Sequence, residues 1–152
     1  MTNNRESRLT DFATIFLRLA LAAGFVAAVS DRFGLWGPAG TTNVAWGDFG
    51  HFLAYAAKLN PELPVRWIPT VGWTVTFAET ICAITLLLGF RTRTFALMSG
   101  IMLFAFASGM TVGTGVKSAL NASVFPASAG AFLLATVREY PWSVDALKKG
   151  KA

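Results

Sequence analysis

The chain reads as an all-α membrane protein: a four-helix transmembrane bundle with an additional short amphipathic helix in the outer loop between spans 1 and 2. Three observations predict this. Hydrophobic residues fill 54% of the 152 positions and charged residues only 14%, with a mean hydropathy of +0.52. A soluble domain has about 25% charged residues, so this chain is too poor in charge to cover a water-facing globule. The apolar residues gather into four stretches, each near the ~20 residues a helix needs to cross the hydrocarbon core. The basic residues stand mostly at the ends of those stretches, where membrane orientation requires them.

The spans are expected at about 10–29, 71–88, 94–112 and 119–137, within one domain covering 1–152. An outer loop spans 30–70 and a cytoplasmic tail 138–152. The first stretch follows Arg5 and Arg8 and has small residues at Ala28 and Ser30, as a signal peptide does. Arg18 interrupts it, however, and its apolar run exceeds the roughly 7–15 residues of a signal, so a retained span is expected. With the N-terminus cytoplasmic, Arg5, Arg8, Arg91, Arg93, Arg138, Lys148, Lys149 and Lys151 share one side. Arg32, Lys58, Arg66 and Lys117 fall on the other. That bias satisfies the positive-inside rule and places both termini of a multi-pass protein in the cytoplasm. Trp36, Trp46, Trp67 and Trp73 mark the outer interface, and Tyr140 and Trp142 the inner one.

In the outer loop, Gly34, Gly37, Pro38 and Gly40 predict irregular chain. A helix then follows over Trp46–Leu59. Trp46, Phe49, Phe52, Leu53 and Ala56 recur at helical spacing on one face, and Asp48, His51, Tyr55 and Lys58 fall on the other. This helix either lies in the interface or caps the bundle mouth. Small residues recur every fourth position at Ala20, Gly24 and Ala28, at Ala105, Gly109 and Gly113, and at Ser123, Ala127, Ala131 and Ala135. Such stripes serve tight packing within the chain or a homo-oligomer interface. Pro126 predicts a kink in the fourth span, near Lys117 and Asn121, which are secondary candidates for lining a cavity together with His51 of the loop helix.

Charges inside the spans are the strongest functional signal. Glu79 lies mid-span, and an acid at that depth is costly and needs a partner. Arg18 is the expected one. It lies eight residues beyond Thr10 and Glu79 ten residues before Gly89, depths of about 12 and 15 Å at 1.5 Å per residue. Thr76, Glu79 and Cys82 share a helical face, and Phe25 lies on the Arg18 side of the first span. These five residues are the ligand-binding candidates. Together they either form a charged floor with apolar walls for a small amphiphile such as a quinone, or an ion pair that fixes helix register.

Several classes are excluded. A single cysteine, Cys82, cannot form an intrachain dithiol relay, and a single histidine, His51, cannot form a bis-histidine haem. No zinc-like ligand spacing occurs, so no metal site is expected. The net charge of +5 lacks the clustered basic face of a nucleic-acid binder.

The order and spacing of several short motifs resemble the DoxX family of small four-span membrane proteins. These are Leu17-Arg18-Leu19 leading to Gly24-Phe25, the second-span Glu79, Leu86-Leu87-Leu88-Gly89 with Arg91 and Arg93, and a third span beginning Phe95-Ala96. The likeness covers roughly 9–137. It implies a bundle in the bacterial cytoplasmic membrane and a link to redox work, as the quinone-linked membrane subunit or partner of an oxidoreductase or oxidative-stress system. Many members carry a lysine after the first span, where Asp31-Arg32 stands in this chain. No covalent cofactor is expected; a quinone is the candidate ligand, and a partner oxidoreductase subunit the candidate protein contact. The alternatives are a non-enzymatic membrane scaffold or assembly factor, and a small-molecule or lipid-binding transporter, which one chain this small would form only as an oligomer.

Overall fold

The computed structural model describes residues 2–149 and is all-helical over them. Its helices are α1 (Thr2–Arg32), α2 (Phe49–Leu59), α3 (Ile68–Leu88), α4 (Thr92–Thr114), α5 (Val116–Asn121), α6 (Val124–Thr136) and α7 (Val144–Lys149), with one 3-10 turn at Val65–Trp67. Lys151, counted in the expected cytoplasmic tail, lies outside the described residues. Three segments are long and apolar enough to cross a membrane: Arg8–Arg32, Val65–Leu88 and Thr92–Thr114.

Local chemistry sets the boundaries. Pro69 sits in the first turn of α3, where its missing N–H breaks no helical bond. Gly89 ends α3 in the left-handed conformation at φ 67°, and its N–H reaches back to the Leu86 carbonyl at 3.2 Å. In α2, Asp48 is the N-cap and accepts the His51 backbone N–H at 2.9 Å. The helix therefore begins at Phe49 rather than at Trp46.

The fourth apolar stretch departs from expectation. It is two short helices, α5 and α6, broken at Ser123, whose φ is +54°. The reason is Pro126: its ring would strike the carbonyl of residue 122 in a continuous helix. The chain breaks there, and Pro126 falls in the first turn of α6, where it is tolerated. The thirteen residues of α6 extend about 20 Å, short of a full crossing alone.

The helices α1, α3, α4 and α6 pack as a ring, in the neighbour order α1–α3–α4–α6 with α6 returning to α1. Small or hydroxylated residues occupy its interior: Ala22, Ala83, Ala96, Ala131, Ser99 and Ser128 are buried. The Ser128 hydroxyl donates to the Gly100 carbonyl at 2.8 Å across the α4–α6 contact. Large apolar residues face outward, among them Phe12, Phe16, Phe77, Ile84, Ile101, Phe104 and Leu133. A water-soluble bundle has the opposite arrangement; in lipid, small residues let backbones approach while large side chains meet acyl chains. The α1 stripe is not part of this packing. Ala20 and Gly24 are exposed on the outside of the ring.

Of the two placements open to α2, the structure shows the cap. Phe52 and Ala56 are buried, and α2 packs on both α3 and α4. A side chain at Gly113 would run into the backbone of Lys58 and Leu59. At the opposite end, beside the α3–α4 turn, the C-terminal segment folds back under the bundle. Asp145 accepts the backbone N–H groups of Arg91 at 2.8 Å and Thr92 at 2.7 Å, and its own N–H donates to the Gly89 carbonyl at 3.0 Å.

If α2 is a cap, its contact glycine must be intolerant of a methyl group. Gly113→Ala should cost roughly 1–3 kcal/mol through overpacking. Gly24→Ala, with open space around it, should change stability by no more than about 0.5 kcal/mol. Thermal unfolding of both variants in detergent checks the contrast; equal losses would contradict the cap.

Candidate functional site

The buried acid Glu79 pairs with Arg32, not with Arg18. Arg32 is the last residue of α1, and Glu79 lies midway along the antiparallel α3. Both residues are only 2% exposed. An Nη1 of Arg32 meets the Glu79 carboxylate and also donates to the Thr76 hydroxyl at 2.9 Å. The Thr76 hydroxyl in turn donates to the Gly72 carbonyl at 2.8 Å. The guanidinium carbon lies 3.9 Å from the centroid of the Phe52 ring and 5.3 Å from that of Trp46. Desolvated cation–π contacts of this kind contribute ~1–2 kcal/mol. The centre thus joins α1, α3, α2 and the outer loop through one cation.

Asp31, next in sequence, organises the loop around that cation. Its carboxylate accepts the backbone N–H groups of Ala45 at 2.8 Å, Trp46 at 3.2 Å and Gly47 at 3.3 Å. Three such bonds consume the charge of a buried acid and fix Trp46 beside Arg32. Gly47 is required here: its φ is +72°, and a side chain would collide with the backbone of Pro38 and Ala39.

The expected Arg18–Glu79 pair is absent for a directional reason. Side chains on a helix lean toward its N-terminus. On α1 that sends Arg18 toward the α3–α4 turn; on the antiparallel α3 it sends Glu79 toward the outer loop. Equal axial depth does not bring them together. Arg32, at the far end of α1, leans back into the bundle and meets Glu79. Arg18 instead donates to the carbonyls of Pro141 at 3.2 Å and Trp142 at 2.6 Å.

The other candidates fall as follows. Cys82 is 1% exposed, one turn from Glu79, and its thiol faces the Ser99 hydroxyl. Phe25 packs in the same core cluster as Cys82. Thr76, Glu79 and Cys82 do share a buried face of α3, as expected. His51 is exposed and its ring meets the Asp48 carboxylate at 2.7 Å. The His51 backbone N–H first, and its ring second, hold the Asp48 carboxyl below its ordinary range. Lys117 and Asn121 are exposed on α5, apart from the polar centre. Among the described residues, no group of three metal-ligating side chains occurs.

Sequence reading missed Arg32, Asp31 and the two aromatic rings over the guanidinium. The available signal was the charged pair Asp31-Arg32 directly after an apolar run, which the positive-inside count treats as loop charge.

No family model, curated protein or solved structure matches the chain.

Removing the Asp31 carboxylate should free the loop before it unfolds the bundle. In Asp31→Ala, hydrogen–deuterium exchange at the amides of 45–47 should quicken at least tenfold, since each charge-assisted bond is worth roughly 1.5–3 kcal/mol. Amides of α4 should keep their protection. Equal quickening in both regions would contradict a loop-specific role.

Proposed function

We propose that this chain is a four-crossing membrane protein of the DoxX type that acts as a non-enzymatic scaffold, the membrane partner of an oxidoreductase or oxidative-stress system. In this reading α5 and α6 together supply the fourth crossing. The bacterial cytoplasmic membrane is its site, with both termini cytoplasmic. The observation that carries the scaffold reading is the closure of the Arg32–Glu79 centre. The guanidinium has Glu79 and Thr76 at its edge and Phe52 against its face. Such a centre locks the cap α2 and the outer loop onto the bundle. It presents a fixed outer surface, which a scaffold needs, and leaves its charges engaged with each other.

A second reading is favoured by one specific feature. Arg32 Nε is buried without a hydrogen-bond acceptor among the described residues. An oxygen of a quinone head could accept from it if α2 swung away, with Phe52 and Trp46 stacking on the ring. Under this reading the lock is a lid over a ligand site.

Native mass spectrometry of the protein extracted in its own lipids separates the two. The scaffold reading expects the wild-type chain to carry a partner protein and no quinone. A quinone bound to wild type and lost from folded Glu79→Gln would transfer the centre to the second reading. The substitution itself should cost about 3–5 kcal/mol of stability, because it leaves a buried arginine unpaired.

A further inference from the structure

The end of the bundle opposite the Arg32–Glu79 centre carries a surface groove of about 380 Å³. That volume lies within the ~300–1,000 Å³ usual for a ligand site. Leu88, Trp142, Ser143, Val144, Ala146 and Leu147 line it. Three of these are large, apolar and open: Leu88 is 54% exposed, Leu147 70% and Trp142 87%.

The exposure of Trp142 is built in rather than incidental. Its φ is +52°, a conformation that is a true outlier for a bulky residue. The buried Arg18 holds that backbone by donating to the Pro141 and Trp142 carbonyls. Asp145 anchors the next turn on Gly89, Arg91 and Thr92. A segment pinned from both sides therefore presents an indole and the Leu147 side chain outward, beside Leu88 at the end of α3.

Arg91 and Arg93 are exposed at the start of α4. Four acids, Glu6, Asp11, Glu139 and Asp145, share this end, and the Asp145 carboxylate is engaged by the α4 N–H groups. An apolar trough beside the arginine-bearing α3–α4 turn, at the end of a bundle whose flanks face lipid, matches a molecule with an acyl chain and a phosphate.

We propose that this groove seats an anionic phospholipid, with an acyl chain along Leu88, Val144 and Leu147 and the phosphate on Arg91 and Arg93. Paired arginines suit a phosphate because the guanidinium fork offers parallel N–H donors, and basic pockets at the inner ends of membrane helices take anionic head groups. The inference rests on the membrane reading of the fold, and is independent of whether the protein is a scaffold or binds quinone.

The test is native mass spectrometry from nanodiscs containing equal phosphatidylglycerol and phosphatidylcholine. Wild type should retain phosphatidylglycerol about thirtyfold more than phosphatidylcholine, the scale that two interfacial arginines at about 1 kcal/mol each confer. Arg91→Gln with Arg93→Gln should erase that preference, and Arg91→Lys with Arg93→Lys should keep much of it. Ala146→Trp, which fills the trough, should lower retention of both lipids. The proposal is overturned by a wild type without preference, or by a preference that survives the double glutamine variant. Displacement of the lipid by millimolar inorganic phosphate would overturn it as well, since the site would then bind free phosphate rather than a lipid.

Discussion

A guanidinium carries its charge at any physiological pH, so an arginine drawn into an apolar bundle must find acceptors for its N–H groups, and a carboxylate is the strongest of them. Arg32 finds Glu79, and much of the outer half of the molecule is arranged around that contact. The pair joins the end of α1 to the middle of α3. Phe52 covers the cation from α2, and Trp46 covers it from the loop, in a position set by the three amide bonds to Asp31. A loop rich in glycine thereby becomes a fixed cap. Elements far apart in sequence share a single point of attachment, and none of them can shift without exposing a charge.

The other end of the bundle uses the second buried arginine differently. Arg18 donates there to two main-chain carbonyls of the segment after α6, and the Asp145 carboxylate acts on its charge. This ties the C-terminal chain under the α3–α4 turn, with Asp145 capping α4 on the far side. One arginine closes the α2 end of the bundle through an ion pair, and the other closes the opposite end through backbone. Between them, small residues bring α4 and α6 into close contact through Gly100 and Ser128, while Phe25, Leu86 and Leu134 fill the rest of the core.

Much of this was legible in sequence, because lipid imposes a simple rule. Length and composition located α1, α3 and α4, and helical spacing found the buried Phe52 and Ala56 of α2, though Tyr55, expected on the opposite face, turns toward Thr114 and Ser118. Glu79 was legible as a buried acid from its apolar flanks alone. Its partner was not. Axial depth pointed to Arg18, while the lean of side chains toward helix N-termini, in two antiparallel helices, selects Arg32. The break at Ser123 was partly legible: Pro126 announced a disturbance, but whether a proline bends a helix or begins a new one depends on what the preceding turn can adopt. The loop's bonds to Asp31 link residues fourteen to sixteen apart through backbone groups, which no side-chain pattern records.

The central claim is that Arg32, rather than Arg18, is energetically coupled to Glu79. A double-mutant cycle on the stability of the detergent-solubilised protein tests it, using Arg32→Met, Arg18→Met and Glu79→Gln singly and in pairs. Positions 32 and 79 should couple by roughly 1.5–3 kcal/mol, and 18 and 79 should be additive within about 0.5 kcal/mol. Additivity at 32 and 79, with coupling at 18 and 79, would contradict it.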